Sequence, residues 1–211
     1  MSSQPDNTSH GPLFSNVGAV VLAGGLARRM GGQDKGLVKL AGKPMASYAL
    51  DVLGKLVSRC VINANRNIEA YAQLAPSSVD VVPDSREGHL GPLAGLCTAL
   101  ETLETDYVLM CPCDSPFLQT ELVRALIEQC QQQGADIAVA HDGQRLQPVF
   151  SVVHRRVKAS LDKFLDAGER KIDRWFLQNN VIEVEASAYT DSFRNINTEQ
   201  ELANAERDLL A

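Results

Sequence analysis

The chain has 211 residues, a formal net charge of −6 and 45% hydrophobic residues, enough for one sizeable core in a single domain. Its 15 glycines and 9 prolines are ordinary usage and exclude a collagenous or low-complexity chain, and no apolar run reaches the ~18 residues of a membrane span. The 26 acidic against 20 basic residues argue against a nucleic-acid partner, which needs a basic footprint, but not against a nucleotide held at a local site.

Residues 1–16 are polar and contain no Arg or Lys. They lack the basic start and apolar stretch of a signal peptide and are expected to be a disordered leader, with a single domain over 17–211. The five cysteines, Cys60, Cys97, Cys111, Cys113 and Cys130, are odd in number and form no Cys-x-x-Cys pair. Reduced thiols in a cytoplasmic protein follow as the simplest expectation, with Cys111 and Cys113 serving packing.

Val17 to Ala23 is an apolar run bounded by glycines and reads as a buried strand. Gly24 to Lys35 is too rich in glycine and charge for a regular element. Pro44 opens a helix to about Leu56, with Ala46, Ala49, Leu50, Leu53 and Leu56 or Val57 as its apolar side. A strand over Arg59–Ala64, a short helix around Ile68–Leu74 and a strand over Val79–Val82 follow. Pro83 to Gly91 is a loop, and Pro92 opens a helix to about Leu103. Then come a strand over Tyr107–Cys111, a helix over Thr120–Gln132 and a strand over Asp136–Ala140. This alternation predicts an α/β fold with a mostly parallel sheet and helices on both faces, binding its ligand beyond the carboxyl ends of the strands.

The rhythm changes after His141, dividing the chain into a part at about 17–141 and a C-terminal part at about 142–211. Gln147 to Val153 suits either a strand of the sheet or the start of an annex. Val157 to Asp166 reads as a helix stopped by Ala167-Gly168. Ile172 to Leu177 is ambiguous, and Val181 to Glu185 alternates as an edge strand. Thr198 and Glu201 form a capping box for a last helix, Glu199–Leu209.

The loop after the first strand holds Gly24, Gly25, Gly31 and Gly32 with Arg28, Arg29 and Lys35. Glycines let the backbone turn tightly and offer N–H groups to phosphate oxygens, and the basic side chains add charge. The spacing fits neither a Walker A loop nor the dinucleotide fingerprint. Asp114, in Leu109-Met110-Cys111-Pro112-Cys113-Asp114-Ser115-Pro116, follows an apolar strand and is a candidate Mg²⁺ ligand; a turn or N-cap role is the alternative. Asp84 ends the third strand in the same way, to contact a nucleotide or cap a turn. Asn63 and Asn65 offer a donor and an acceptor to a base edge or ribose. Asn195 and Asn197 alternate onto one side, where Asn197 can add a neutral oxygen ligand beside Asp114. The helix opened by Pro92 points an N-terminus at the ligand edge, and Arg170, in Gly168-Glu169-Arg170-Lys171, suits a second phosphate or water. The four histidines lack metal-ligand spacing and no Gly-x-Ser-x-Gly elbow exists. With no nucleophile in evidence, direct attack of a substrate phosphate on the α-phosphorus of a nucleotide is the expected mechanism.

Leu22-Ala23-Gly24-Gly25, Ala27-Arg28-Arg29-Met30-Gly31-Gly32 and Asp34-Lys35-Gly36 resemble the signature of the bacterial molybdenum cofactor guanylyltransferases, the MobA family. The stretches at 40–44 (LAGKP), 61–66 (VINANR), 91–95 (GPLAG), 112–116 (PCDSP) and 195–202 (NINTEQEL) are similar to that family in the same order. The resemblance implies a Rossmann-like three-layer nucleotidyltransferase fold and transfer of GMP from GTP to molybdenum-bearing molybdopterin, releasing pyrophosphate. It implies that Leu22, Ala23, Gly24, Gly25, Lys35, Asn63, Asp84 and Asp114 bind the nucleotide. It further implies catalytic roles for Arg29, Lys35 and Asp114, with Mg²⁺ on Asp114 and Asn197 as a candidate second ligand. Arg170, Asn195 and Asn197 fall on the molybdopterin side. A molybdenum-insertion protein and recipient molybdoenzymes are the partners it suggests, with no membrane or nucleic acid. A His-Pro pair common in the family is replaced here by Gln147-Pro148, which weakens the case for an imidazole contact to the pterin and leaves the GTP site untouched. The alternatives are a CTP-dependent molybdopterin cytidylyltransferase, a sugar-1-phosphate nucleotidyltransferase and a non-catalytic GTP-binding regulator. Ala23-Gly24-Gly25, the doubled Gly31-Gly32, the short chain and the presence of both Lys35 and Asp114 stand against them.

Overall fold

The computed structural model describes residues 12–23, 33–76, 78–86 and 91–210, and residues 26–27 in backbone only. Seven strands form the main sheet. They are β1 (Phe14–Leu22), β2 (Val57–Asn63), β3 (Val79–Val82), β4 (Tyr107–Pro112), β5 (Ile137–His141), β6 (Leu146–His154) and β7 (Val181–Glu185). Their order is β7-β5-β6-β4-β1-β2-β3. Every pairing is parallel except those of β6, which runs antiparallel to both β4 and β5. The sheet is therefore mixed. The segment left open between sheet and annex is an interior strand, so residues after His141 share the sheet of those before it.

The helices are α1 (Met45–Leu56), α2 (Ile68–Leu74), α3 (Pro92–Thr102), α4 (Thr120–Gln132), α5 (Lys158–Asp166), α6 (Ile172–Phe176) and α7 (Glu199–Leu210). The period-2 alternation of the strands divides their side chains between two cores. Ala19, Val21, Ile62, Leu109, Cys111, Ala138 and Val152 face α1 and α4, whose Ala46, Ala49, Leu53, Leu122 and Leu126 complete one cluster. Val20, Val61, Val108, Met110, Ile137, Val139 and Val153 face α3, α5 and α6 in the other. Strands buried on both faces are near-continuously apolar, as in a sheet covered on both sides by helices.

Several boundaries differ from the sequence-based expectation. β1 starts at Phe14, three residues early, because Phe14 pairs with Val57 across a register shift. β2 likewise starts at Val57, taking over the chain directly where α1 ends. Residues 1–11, most of the expected leader, lie outside the described residues. The ambiguous Ile172 segment is a five-residue helix that buries Trp175 and Phe176. The capping box at the start of α7 is present, with Thr198 Oγ1 accepting from Glu201 N at 3.2 Å and Glu201 Oε2 accepting from Thr198 N at 2.9 Å.

A third, smaller cluster joins the two ends of the chain. Val38, Leu40 and Met45 pack with Ile196 and Ala205, which brings the segment before α7 against the short ladders that precede α1. No helix among the described residues is long and apolar enough to cross a membrane.

Trp175 is fully buried, and its Nε1 donates to Ser160 Oγ at 3.2 Å. Truncation to alanine leaves a large cavity between α6 and the sheet. Trp175→Ala is expected to lower unfolding stability by about 3–5 kcal/mol, read from the midpoint of a urea titration.

Candidate functional site

The parallel strands end level with one another. Leu22 pairs with Asn63 and Pro112, and Asn63 pairs with Val82. The ladders run one step further, through Ala23 N to Asn63 O at 2.8 Å, Ala64 N to Val82 O at 3.0 Å and Cys113 N to Leu22 O at 3.1 Å. β2 and β3 lie on one side of β1 and β4 on the other. The chain thus changes direction across β1, and the crevice outside its carboxyl end is where such sheets take a ligand.

Three sequence-predicted residues meet at this edge. Lys35 opens a single 3-10 turn, Lys35–Leu37. Its Nζ donates to Asp114 Oδ2 at 2.8 Å and also to Asn197 Oδ1. The side chains of Lys35 and Asp114 are 18% and 9% exposed, so their pairing is shielded far more than a surface bridge. Asp114 comes two residues after the end of β4, and α4 begins only after Gln119, so Asp114 is not the N-cap of that helix. Its carbonyl accepts from Ile196 N at 3.1 Å. Ile196 is buried, and this anchor sends Asn195 and Asn197 to its other side. Asn195 Oδ1 accepts from Ser115 Oγ at 2.6 Å. Asn195 also lines a cleft of about 280 Å³ with Arg194, Ile196, Glu201 and Asn204.

A carboxylate and a carboxamide oxygen converge here on one positive charge, the Lys35 ammonium. Two oxygen donors around a cation are the donor chemistry a hard divalent ion such as Mg²⁺ requires. The residues present therefore fit such an ion.

A second group sits over β2 and β3. Asn63 Nδ2 donates to Asp84 Oδ1 at 3.0 Å, and Asn65 Nδ2 donates to Asp84 Oδ2 at 2.8 Å. Asp84 N returns a bond to Asn65 Oδ1 at 2.8 Å. The two asparagines and the aspartate are one network rather than three separate candidates. Beneath it, α3 approaches so closely that a Cβ at Gly95 would lie 2.5 Å from Asn63 Oδ1 and also strike Leu22. Glycine is therefore required for the first turns of α3 to reach the strand ends. Gly91, with φ of +66°, and Pro92 at the first helical position set the entry of that helix.

Arg170 is not part of either group. Its Nη1 donates to the carbonyls of Leu165 and Glu169 at 2.9 and 2.6 Å, tying it to the end of α5. Gly24, Gly25 and Arg29 lie outside the described residues. Sequence reasoning missed Arg86, which reaches from the loop after β3 to Asp162 and Asp166 of α5 at 2.8 and 2.5 Å. It also missed the buried contacts of Asp34. Both are tertiary pairings between distant segments, with no local spacing to reveal them.

The Cys97, Glu101 and Asp162 side chains lie close enough to suggest a metal, but Lys158 already neutralises them at 2.9 Å from Glu101 and 2.7 Å from Asp162. Burial alone would raise the Asp162 pKa. Hydrogen bonding from Lys158, with help from Cys97 and Arg86, reverses this and lowers it. The five cysteines are all unpaired and buried, as expected of packing residues. Burial pushes the Cys60 thiol up to about 12, which makes it a poor nucleophile.

Comparison with known proteins places these residues in context. The MobA-like NTP transferase domain matches residues 19–181. A molybdenum cofactor guanylyltransferase of Shewanella piezotolerans is 44% identical over 185 residues, covering 88% of this chain and 89% of the relative. One from Shewanella woodyi is 45% identical over 192 residues, covering 90% and 96%. Among solved structures, molybdopterin-guanine dinucleotide biosynthesis protein A from Archaeoglobus fulgidus superposes with a TM-score of 0.77. The match covers 92% of this chain and 98% of that one at 23% identity, which speaks for the fold.

Two outcomes are expected. Gly95→Ala should cost about 1–3 kcal/mol by overpacking and should shift the Asn63 side-chain amide signals in a ¹H–¹⁵N spectrum, because its Oδ1 must give way. The carboxylates of Asp162, Glu101 and Asp136 all titrate below their ordinary values. Their contribution to stability is present above the unfolded pKa of about 4 and is lost as pH falls through the lower folded values. Thermal midpoints should therefore drop on acidification below about pH 4, and Asp162→Asn should flatten that drop.

Proposed function

Because the chain belongs to the MobA-like NTP transferase family, we propose that this nucleotidyltransferase moves GMP from GTP to molybdenum-bearing molybdopterin. The products are the guanine dinucleotide form of the cofactor and pyrophosphate. The observation that carries the reading is the meeting of Lys35, Asp114 and Asn197 at the carboxyl end of β1 and β4. The guanylyltransferase names of relatives more than 40% identical over most of the chain support the choice of GTP and molybdopterin.

The Asn63–Asp84 network and the backbone at Leu22 and Ala23 would line the nucleoside. An amide and a carboxylate side by side suit the donor and acceptor edge of guanine or the ribose hydroxyls. The glycines of the following loop, Gly24 and Gly25, would offer backbone N–H groups to the triphosphate, and Arg29 would add a guanidinium to it. Lys35 needs only to turn its ammonium from the Asp114 carboxylate to the phosphate oxygens, exchanging one anionic partner for another. Asp114 and Asn197 would hold Mg²⁺. When bound, that ion would draw off charge from the triphosphate and the leaving pyrophosphate.

The reaction is then a direct displacement. An oxygen of the molybdopterin phosphate forms a bond to the α-phosphorus of GTP. The bond from that phosphorus to the oxygen bridging the β-phosphate breaks, and pyrophosphate leaves with its electron pair. No side-chain nucleophile is needed. The protein holds the two phosphates in line and neutralises the developing charge. Asn195, which lines the cleft near α7, would serve the acceptor side. Arg170, tied to the end of α5, would meet that substrate through its free donors.

The test offers GTP, CTP, ATP and UTP separately to purified protein with Mg²⁺ and molybdenum-loaded molybdopterin, following pyrophosphate and dinucleotide together. Turnover with GTP alone is expected. Turnover with CTP would make the enzyme a cytidylyltransferase, and binding of GTP without turnover would make it a regulator. Lys35→Ala and Asp114→Asn should each lower kcat by roughly 100-fold or more while the fold persists. A variant at either position with full activity would remove that residue from the mechanism.

A further inference from the structure

Lys35 is the long, flexible member of the site, and its neighbours on both sides press on one buried hydroxyl. Tyr71 of α2 is fully buried. Its hydroxyl donates to Asp34 Oδ1 at 2.5 Å. The Asp34 side chain is 1% exposed, and its Oδ2 accepts from Asn67 Nδ2 at 3.4 Å and lies 3.9 Å from Arg66 Nη2. On the other side of Lys35, a Cβ at Gly36 would sit 2.5 Å from the same Tyr71 hydroxyl and 3.2 Å from Cys113 Cβ. Val38 N closes the turn by bonding the carbonyls of Asp34 and Lys35, both at 3.2 Å.

We infer that Tyr71, through Asp34, is a positioning residue that fixes the root of Lys35 against the carboxyl edge of the sheet. A carboxyl group buried among apolar side chains is costly unless its bonds are met. A plain apolar contact would join α2 to this turn at lower cost, so filling the place with an acid bonded to a phenol sets a direction as well as a contact. Burial, and then the neighbouring Cys113 and Asp34, hold the phenol far above its ordinary pKa, so the hydroxyl remains the donor throughout the working range.

The need for such a root follows from the proposed function, on which this inference rests. The outer end of Lys35 is held by Asp114 and Asn197, the two oxygens that would be shared with a metal and triphosphate. Their hold changes when substrate arrives. The Tyr71 hydroxyl bonds Asp34 and neither of those two side chains, so substrate can take over the outer end of Lys35 without breaking it. A lysine anchored at its root meets the phosphates from one direction, which matters most where charge develops in the transition state.

The test is a double-mutant cycle. Tyr71→Phe keeps the ring and removes the hydroxyl. It is expected to lower kcat about tenfold while KM for GTP stays within about twofold, the signature of an interaction expressed in the transition state. In a Lys35→Ala background the same change should have no further effect on the residual rate. An equal loss in both backgrounds, or an unchanged kcat, overturns the inference. Asp34→Asn keeps an acceptor for the hydroxyl and should retain most activity, whereas Asp34→Ala should match Tyr71→Phe. This pair decides the matter if Tyr71→Phe does not fold, and an active Asp34→Ala overturns it. A further readout needs no substrate. In protein labelled with ¹³C-lysine, the two Hβ signals of Lys35, next to its backbone and assigned by their loss in Lys35→Ala, should be distinct in the parent and merged in Tyr71→Phe. If the parent turns over no nucleotide, the proposed function fails, and the Hβ signals still decide whether Tyr71 orders the root of Lys35.

Discussion

The structure depends on the placement of β1 between two parallel neighbours with helices covering both of its faces. Because the strand is paired on both edges and buried on both faces, it has no freedom to slide. A slip of one residue would turn Val20 into the layer built for Ala19 and Val21, and the two cores differ in size and partners. The register therefore levels Leu22, Asn63, Val82 and Pro112 at one rim. Asp84 and Asp114 each stand two positions beyond that rim, and Lys35 and Asn197 reach it from segments packed against it. The apolar interior of the sheet determines where Asp84 and Asp114 can be.

The site groups are polar, and Asn63 and Asp114 among them are buried, yet each is answered by a partner. Asp84 is held by two asparagines and its own backbone bond, and Asp114 by Lys35 and by the carbonyl bond to Ile196. Among the described residues, Ser151 has the one buried side-chain oxygen without a partner. Such saturation means that a ligand entering the crevice competes with bonds already made rather than filling empty valences. It favours a ligand that is highly charged and supplies its own counter-ion, since only such a ligand can repay Lys35 and Asp114 for what they give up.

Much of this architecture was legible from periodicity. α2, β3 and α4 fall where their patterns place them, and Pro92 and the Thr198–Glu201 box mark their helix starts. The harder parts were those where one pattern fits two environments. Gln147 to Val153 reads apolar and β-like, but nothing in it tells an interior antiparallel strand from a separate annex, because both bury the same faces. Asp114 was legible from its place after an apolar strand. Asp34 was visible only as one letter of a signature, and Tyr71 as a core aromatic. Their meeting depends on how β2 hands the chain to α2 and on how close Gly36 lets the backbone come. Gly95 was likewise readable as part of a motif but not as the point where helix and strand touch. Arg170 carries charge that the sequence shows and a tether to α5 that it does not.

The position of β6 has a consequence for how the molecule is made. β4 and β5 are consecutive strands that never touch, because residues 146–154 run between them in the opposite direction. A growing chain that has produced β5 cannot complete its sheet. The free edge of β4 and the edge of β5 both wait for a segment made later, and unpaired apolar edges invite pairing with other chains. The part of the rim over β1, β2 and β3 has all its strands before that point. The two parts of the sheet are joined only through β6.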